Sequence, residues 1–421
     1  MNTPAASAAP EYDAAIVGGG MVGASLALAL AAANRRVLII EGVPPASAAQ
    51  PSFDDRTTAL GNASRRILES LGVWQQVAAQ AGVIRRIHVS DAGRLGMARL
   101  DAAEQGIPAF GYVVANRLLG AALWERISAD PNISVRVPAT AQSVRTDDTG
   151  AGIEITAATT DSNPAAATAV VSQTARARLV IAADGARSAV RRDAGISAAD
   201  TDYDQVAIVA NVTTDTPNDG TAYERFTPAG PLALIPLHDG TWTVVWARRP
   251  DDAAAALAQE PAAFLSGLQQ HFGWRAGRFT HVGKRASYPL VLTRADELTA
   301  QRTVLIGNAA QSLHPVAGQG FNLALRDVAA LAELIAREPD PGAPALLQSF
   351  ADWRARDRRG VVGFTDGLIR LFGDTRAPVR AARDAGLLLF DLLPPAKRAL
   401  SRVSLGFGGR TPRLARGLKL K

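Results

Sequence analysis

The chain has 421 residues, of which 48% are hydrophobic and 20% charged, enough apolar material for two or three domains with large cores. It contains no cysteine, which excludes disulfides, thiolate metal sites and thiol nucleophiles. The net charge of +6 belongs to one end, because Leu388–Lys421 carries eight basic residues against one acid, so no nucleic-acid partner is expected. No secretory signal precedes Asp13 and no apolar run reaches the ~20 residues of a membrane span, so we expect a cytoplasmic protein.

The first elements form a dinucleotide-binding pattern. A hydrophobic strand runs into Gly18-x-Gly20-x-x-Gly23, an Ala/Leu-rich helix follows, and a second hydrophobic strand ends in Glu41. The first glycine allows the tight turn, the second lets backbone approach a pyrophosphate, and the third lets helix and strand pack closely. The helix N-terminus attracts the pyrophosphate, and the terminal acid accepts hydrogen bonds from a ribose that carries no phosphate. The pattern predicts a site for FAD or NAD.

The rest of the chain mixes strand-like and helical segments. One helix is expected to end near Leu71-Gly72, and another is expected to follow Asn116-Arg117. The Leu/Phe stripe at Leu387–Leu393 continues a helical pattern that begins at Gly360, and it predicts core-facing or interface-facing positions. Asp239-Gly240 predicts a hairpin turn. The predicted strands are Ala14–Val17, Val37–Ile40, Ile84–Val89, Gly111–Val114, Ile133–Val137, Ser143–Thr146, Gly152–Thr156, Leu179–Ala182, Val206–Val212, Leu232–Pro236 and Thr241–Trp246.

A second motif follows the strand Leu179–Ala182, which stops at Asp184-Gly185 and turns into a basic helix start. In an α/β sheet, ligands collect at the carboxyl ends of the strands. Asp184 is therefore a candidate ligand contact, although an ordinary Asp-Gly turn is an equally good interpretation.

In a third motif a strand ends at Gly307-Asn308, and Gly318-Gln319-Gly320 then opens a helix. The two glycines around Gln319 bring bare backbone against something flat or charged. The helix aims its positive end at the same place. This arrangement would stabilise the negative charge of a reduced flavin.

The three segments Gly18–Glu41, Asp184–Arg191 and Gly307–Ala324, in that order, resemble the fingerprints of the flavin-dependent aromatic hydroxylases with the para-hydroxybenzoate hydroxylase fold. The resemblance covers nearly the whole chain. Within that superfamily, the chain is most similar to the ubiquinone-biosynthesis hydroxylases of the 2-polyprenyl-6-methoxyphenol branch. The motifs that carry this similarity are Asp55–Leu60, Leu71–Trp74, Gly307–Gln311, His314–Leu323 and Phe364–Leu368.

The sequence departs from the wider superfamily at two positions. The superfamily usually has Asp where Asn308 stands and His where Gln311 stands. Asn can still accept one hydrogen bond and donate another, so FAD binding is compatible with the change. The Asn/Gln pair is what the 6-methoxyphenol branch would show.

The resemblance implies an α/β fold: a discontinuous Rossmann-type FAD-binding domain with an inserted β-sheet substrate domain and a C-terminal helical segment. The expected bounds are 1–75, 108–190 and 285–350 for the FAD-binding domain and 76–107 and 191–284 for the substrate domain. Residues 351–421 form the C-terminal helical region with its basic tail.

The implied activity is that of a flavin-dependent monooxygenase which hydroxylates the aromatic ring of a polyprenyl phenol in ubiquinone biosynthesis. NAD(P)H is the implied co-substrate that reduces FAD, and O2 reacts through a flavin hydroperoxide. The sequence shows no second complete GxGxxG motif, so NAD(P)H is expected to visit the flavin without a Rossmann domain of its own.

The resemblance also implies which residues hold the cofactor. The glycines of the first motif would lie at the pyrophosphate and Glu41 at the adenosine ribose. The other expected contacts are Arg56 and Arg117 at the phosphate and ribityl region, Asp184 and Gly185 on the pyrophosphate side, Asn308 at the ribityl chain, and Gly318, Gln319 and Gly320 beside the isoalloxazine. Arg56 could instead pair with the two preceding acids, and Arg117 could cap its helix.

A base near the substrate would help, because a phenol attacks faster as phenolate. His314 is the candidate catalytic residue, although a His-Pro pair in a glycine-rich loop could merely hydrogen-bond backbone. Aromatic residues of the inserted sheet, Tyr223, Phe226, Trp242 and Trp246, would wall the pocket. Both tryptophans share one strand face and could equally be core. No His/carboxylate spacing predicts a metal site.

The basic end interleaves its charges with leucines, Phe390 and Phe407. This composition suits an anionic membrane surface or an acidic partner, so attachment to the inner membrane or to a biosynthetic assembly is one interpretation. A solvated, partly disordered end is the other. The alternatives for function are a sister hydroxylase acting at another ring position, a hydroxylase of an unrelated phenol, or a flavoprotein that is mainly a structural subunit of a membrane-attached assembly.

Overall fold

The computed structural model describes residues 10–45, 47, 50, 54, 56–158, 170–374 and 376–420. Its strands are β1 Tyr12–Val17, β2 Val37–Ile40, β3 Thr57–Gly61, β4 Gly82–Ile84, β5 Arg86–Asp91, β6 Met97–Asp101, β7 Gly111–Ala115, β8 Ile133–Arg136, β9 Ala139–Thr146, β10 Ala151–Ala158, β11 Val170–Ala182, β12 Ala198–Thr214, β13 Thr221–Thr227, β14 Gly230–Pro236, β15 Trp242–Arg248, β16 Phe279–Val282, β17 Ala286–Ala295, β18 Thr299–Ala300, β19 Thr303–Leu305 and β20 Gln311–Ser312. Its helices are α1 Met21–Ala31, α2 Asn62–Ser70, α3 Trp74–Val77, α4 Asn116–Ser128, α5 Ala189–Asp193, α6 Pro250–Ala258, α7 Pro261–Phe272, α8 Gln319–Ile335, α9 Pro344–Gly373, α10 Ala377–Leu392 and α11 Pro394–Ser404.

The first sheet has a parallel core. Strands β19, β11, β1, β2 and β8 lie side by side in that order and run in the same direction. Helix α1 connects β1 to β2 and packs against α8. β2 is buried along its whole length, as expected for a parallel strand covered on both faces. The antiparallel strands β9 and β10 extend this sheet beyond β11.

The second sheet is mostly antiparallel, in the order β20, β17, β12, β15, β14, β13, β5, β6, with β16 paired to β12. One face carries α6 and α7 over a core that contains Trp242, Trp246 and Phe264. Helices α9 and α10 contact strands on the other side. The third sheet has the order β3, β7, β4, and its strand β4 contacts β14 of the second sheet.

The predicted fold class is confirmed. The first sheet takes its strands from 12–40, 133–182 and 299–305, whereas the second takes them from 86–101, 198–295 and 311–312. The dinucleotide part is therefore discontinuous, and a β-sheet is inserted into it. The exact domain bounds stay a prediction, and β17 lies in the second sheet although 285–350 was assigned to the FAD-binding domain.

The basic end of the chain is folded. Leu414, Ala415 and Leu420 are buried in the core of the first sheet, and the short turn around Leu414 packs on α2. The backbone N–H of Arg413 donates to the Glu333 carboxylate at 2.7 Å. Residues 410–420 therefore pack on the body of the protein, while their basic side chains Arg410, Arg416 and Lys419 are exposed to solvent. Within the described ranges, no helix combines the length and apolarity needed to cross a membrane.

Candidate active site

The glycine loop after β1 has the close backbone contacts that its spacing predicts. Gly18 has φ +102°, and a Cβ there would lie 2.4 Å from the carbonyl oxygen of Ala183. A Cβ on Gly23 would lie 2.0 Å from the carbonyl oxygen of Gly18. Gly20 precedes α1 in an extended conformation and provides no side-chain cap, and the first turn of α1 carries no acid. The N-terminus of α1 thus suits an anionic group such as a pyrophosphate.

Glu41 closes the same loop. Its carboxylate accepts the backbone N–H of Gly19 at 2.6 Å and that of Val43 at 2.8 Å. The indole of Trp124 donates to the Gly19 carbonyl at 3.1 Å. The end of β2 therefore brings an acid to the glycine loop, which fits the predicted ribose position.

Asp184 follows β11, directly beside Gly18. One carboxylate oxygen accepts the backbone N–H groups of Ala189 at 2.7 Å and Val190 at 3.3 Å. The other oxygen is buried and has no hydrogen-bond partner among the described residues. A buried acceptor of this kind calls for a donor such as a hydroxyl group of a cofactor. Together with the glycine loop, this oxygen shows that the residues fit FAD.

The second and third motifs are tied together by Arg191, which α5 carries. Its guanidinium donates to the carbonyl oxygens of Ala309 and Ala186, both at 2.8 Å. Gly185 has φ +88°, and Asn308 is exposed in the turn after β19. The fold thus brings the Asp-Gly segment and the Asn308 turn to the edge of the sheet where the glycine loop lies. Their roles in binding FAD stay predictions.

Arg56 and Arg117 meet at Asp54. The guanidinium of Arg56 donates to the Asp54 carboxylate at 2.6 Å and lies 4.5 Å from the ring centre of Tyr288. Pairing with a preceding acid is therefore observed for Arg56; Asp55 lies outside the described residues. Arg117 is exposed in the first turn of α4, and its backbone N–H donates to the Asp54 carbonyl at 3.1 Å. Flavin contact stays a prediction for both.

The loop before α8 is held by a residue that sequence reasoning gave no role. Gly318 has φ +59° and precedes the helix. Asn322 is 3% exposed and donates to the carbonyl oxygens of Ala59 and Gly318, at 2.8 and 2.7 Å. It also accepts the N–H of Gly61 and the hydroxyl of Ser64. The sequence signal that could have identified Asn322 is an amide side chain in the first turn of a helix that follows a glycine-rich loop.

His314 lies in the same loop, and its role as a base stays a prediction. Its Nδ1 accepts the N–H of Val316 at 3.1 Å, which assigns the proton of the neutral ring to Nε2. Burial lowers the pKa of His314 to about 4. Its ring packs edge-on against Tyr203, and His314 is not among the described residues that line the neighbouring cavity. The geometry favours the alternative interpretation, a neutral histidine that holds loop backbone.

A cavity of about 660 Å³ adjoins this loop. Its lining includes Val316, Gly318 and Gln319 of this loop, strands of the second sheet, and residues of α9, α10 and α11. Its lining is mostly apolar. The sheet provides Ile87, Val89, Ala98, Leu100, Ala222, Phe226, Ala233, Ile235 and Val245, and the helices provide Phe364, Leu368, Phe372, Leu387, Phe390 and Leu400.

The predicted aromatic wall is half correct. Tyr223 and Phe226 line the cavity. Trp242 and Trp246 are 2% and 1% exposed and belong to the core under α7. Both tryptophans are therefore core residues, which was the second of the two interpretations of their shared strand face.

Comparison with known proteins agrees with this geometry. A family model described as FAD binding domain matches residues 11–365. The chain is 38% identical to ubiquinone hydroxylase UbiL of Rhodospirillum rubrum, over 98% of this chain and 95% of that protein. It is 32% identical to the 3-demethoxyubiquinol 3-hydroxylase of Escherichia coli, over 94% of this chain and 98% of that protein.

The fold is also that of a solved aromatic monooxygenase. The p-nitrophenol 4-monooxygenase PnpA of Pseudomonas putida aligns with a TM-score of 0.76 at 21% identity, over 96% of this chain and 100% of that one. Fold and site together define an FAD-dependent aromatic monooxygenase. The chain belongs to the family described as FAD binding domain.

Proposed function

We propose that this monooxygenase hydroxylates the aromatic ring of a polyprenyl phenol in ubiquinone biosynthesis, with NAD(P)H and O2 as co-substrates. The observation that carries the proposal is the apolar cavity of about 660 Å³, whose lining joins the loop before α8, the second sheet and the C-terminal helices. A small phenol would need only the part beside the loop, whereas a prenyl chain would occupy the part between the sheet and the C-terminal helices. The names of UbiL and the 3-demethoxyubiquinol hydroxylase support the same substrate class.

Bound FAD supplies hydride acceptance and the activation of dioxygen. The residues of the chain must orient the phenol ring and exclude water, because water favours release of hydrogen peroxide instead of hydroxylated product. Val316, Gly318 and Gln319 line the part of the cavity where the phenol ring would lie beside the cofactor. The apolar side chains of the sheet and helices exclude water from that part.

Glu224 would contact the phenolic hydroxyl. It is the only carboxylate among the described residues that line the cavity. On β13 it shares a face with Ala222 and Phe226, and its neighbours in register are Val89 on β5 and Ala233 on β14. A carboxylate in these apolar surroundings can accept a strong hydrogen bond from a phenol O–H, which raises electron density in the ring.

Dependence of turnover on prenyl length tests the proposed substrate class. Each buried CH2 contributes about 0.8 kcal/mol, so the first five-carbon prenyl units should each raise kcat/KM by at least about tenfold. The measurement is product formation from one phenol with zero, one, two and three prenyl units, with NADH and with NADPH. Equal kcat/KM across the series would contradict a polyprenyl substrate, and reductant oxidation without any hydroxylated product would contradict the enzyme itself.

A further inference from the structure

The exposed face of α10 carries no charge, whereas its inward side combines charged residues with the partly buried Val379, Leu387 and Phe390. Among its described residues only a charged one, Arg383, is buried. Its other charged residues, Arg380, Asp384 and Asp391, are partly buried. Every exposed residue of the helix is uncharged and has no polar side chain: Ala377, Pro378, Ala381, Ala382, Ala385, Gly386, Leu388, Leu389 and Leu392. A surface helix normally places its charges outward and its apolar residues inward.

Ion pairs fix this orientation. The guanidinium of Arg383 binds the carboxylate of Asp91 on β5, with its Nε at 2.9 Å. Asp391 accepts the N–H of Arg99 on β6 at 2.7 Å and pairs with Lys397 of α11 at 3.4 Å. The inward side of α10 is thus bound to the second sheet, and the uncharged face is held outward.

Neighbouring elements enlarge the apolar face and place positive charge beside it. Leu389 and Leu392 are 57% and 75% exposed, and Leu95, in the turn between β5 and β6, is 81% exposed. Arg398 and Arg402 of α11 are exposed basic residues next to this face. Arg370 and Arg376 are exposed as well, and they pair with Asp366 and Asp374 at 2.9 and 2.6 Å. From residue 376 to 420 the only acids are Asp384 and Asp391, both partly buried.

Residues beside this face are also part of the cavity lining. Ala382 and Gly386 of α10 and Leu371 of α9 are exposed and also line the cavity. A ligand that enters beside them therefore comes from whatever covers the apolar face.

We propose that the outer face of α10, with Leu388, Leu389 and Leu392, docks on an anionic lipid bilayer, so that the cavity opens toward the acyl chains. Exposed leucines would enter the headgroup boundary, and Arg398 and Arg402 would pair with anionic lipids. The cavity-lining residues beside this face favour a bilayer over a protein partner, because a polyprenyl phenol is dissolved in lipid. In that respect the inference rests on the proposed function.

Vesicle binding by the FAD-loaded full-length protein tests the proposal. The probes are vesicles of phosphatidylcholine with phosphatidylglycerol and vesicles of phosphatidylcholine alone. The wild type should co-sediment with the anionic vesicles, and Leu389→Glu/Leu392→Glu should weaken that binding at least tenfold. The matched control is Trp274→Glu, which adds one charge at a residue 70% exposed in the loop after α7 and should bind like wild type. Unchanged FAD content in both variants shows that they are folded.

Two results would overturn the docking proposal. One is wild-type protein that fails to bind anionic vesicles. If that wild type forms a dimer and the double variant is a monomer, the apolar face is an interface between two copies of the chain. The other is a double variant that binds as tightly as wild type. Turnover of a short-chain, water-soluble phenol separates this proposal from the proposed function. The double variant should still hydroxylate that phenol. A wild type that binds vesicles but does not hydroxylate the phenol would refute the proposed function and leave the docking proposal standing.

Discussion

The glycine loop of the first sheet and the C-terminal helices use opposite means to hold a ligand. In the loop, Gly18 and Gly23 bring backbone to within contact distances that exclude any side chain, and Asp184 presents a buried oxygen. In the helices, α10 has apolar residues on the cavity side and on the outer face, with its charges bound beneath it. The difference indicates that exact backbone positions would hold a polar cofactor, whereas apolar area would hold the proposed polyprenyl substrate.

The largest effect is expected at Gly18. Gly18→Ala forces a side chain to φ +102° and against the Ala183 carbonyl, a strain of roughly 1–3 kcal/mol before FAD is considered. FAD content after purification should fall at least tenfold. Gly267→Ala is the control, because a Cβ there has no neighbour within 4 Å. Stoichiometric FAD in folded Gly18→Ala would show that the loop is not the pyrophosphate site.

Next in size is the pH dependence contributed by His314. Its pKa is about 4 in the folded protein and about 6.5 when unfolded, so the unfolded state binds more protons as the pH falls below 6.5. About 3 kcal/mol of stability should be lost between pH 6.5 and 4. Denaturant unfolding should show this slope in wild type, and His314→Asn should lack it. If His314→Asn keeps the same dependence of unfolding free energy on pH, another titrating group causes it.

A smaller effect, on binding, is expected at Glu224. A wild-type enzyme whose carboxylate accepts the phenolic O–H should bind a prenyl phenol about 10–100-fold more tightly than its methyl ether. Glu224→Gln should reduce that preference and Glu224→Ala should abolish it. Tyr223→Phe, at the adjacent lining residue, is the control and should keep the preference. Equal discrimination in wild type and Glu224→Ala would remove Glu224 from the substrate site.

The smallest effect separates the two glycines around Gln319. Gly318→Ala should cost about 1 kcal/mol of stability because of its φ of +59°. Gly320→Ala should cost little, since no protein atom lies within 4 Å of a Cβ there. Thermal unfolding of the FAD-free proteins measures this difference. Weaker FAD binding by Gly320→Ala at unchanged stability would identify Gly320 as a cofactor contact, and equal destabilisation of both variants would contradict the assignment.

Much of the dinucleotide part was predictable, because its chemistry is encoded in short spacings. Gly18, Gly23 and Glu41 lie within one βαβ unit, and the contacts of Gly23 with Gly18 and of Glu41 with Gly19 stay inside it. The contact of Gly18 with Ala183 needs the later strand β11. The cavity depends on long-range packing. Glu224 reads as an ordinary solvent-facing residue until β5 and β14 place apolar neighbours on both sides of it.

The C-terminal region shows the same limit. The stripe Leu387–Leu393 was expected to face a core or an interface, since periodicity reports which residues share a face and not what covers that face. The structure leaves Leu388, Leu389 and Leu392 exposed. The ion pairs Arg383–Asp91 and Asp391–Arg99, which join residues nearly 300 positions apart, decide the orientation.

The most direct test of the central claim is the origin of the oxygen in the product. FAD-loaded protein is supplied with NAD(P)H, 18O2 and a 2-polyprenyl phenol in lipid vesicles, and the product is analysed by mass spectrometry. We predict a ring-hydroxylated phenol that carries one 18O atom, with one NAD(P)H oxidised for each product. Oxidation of NAD(P)H that yields only hydrogen peroxide, with no labelled phenol, would contradict the account.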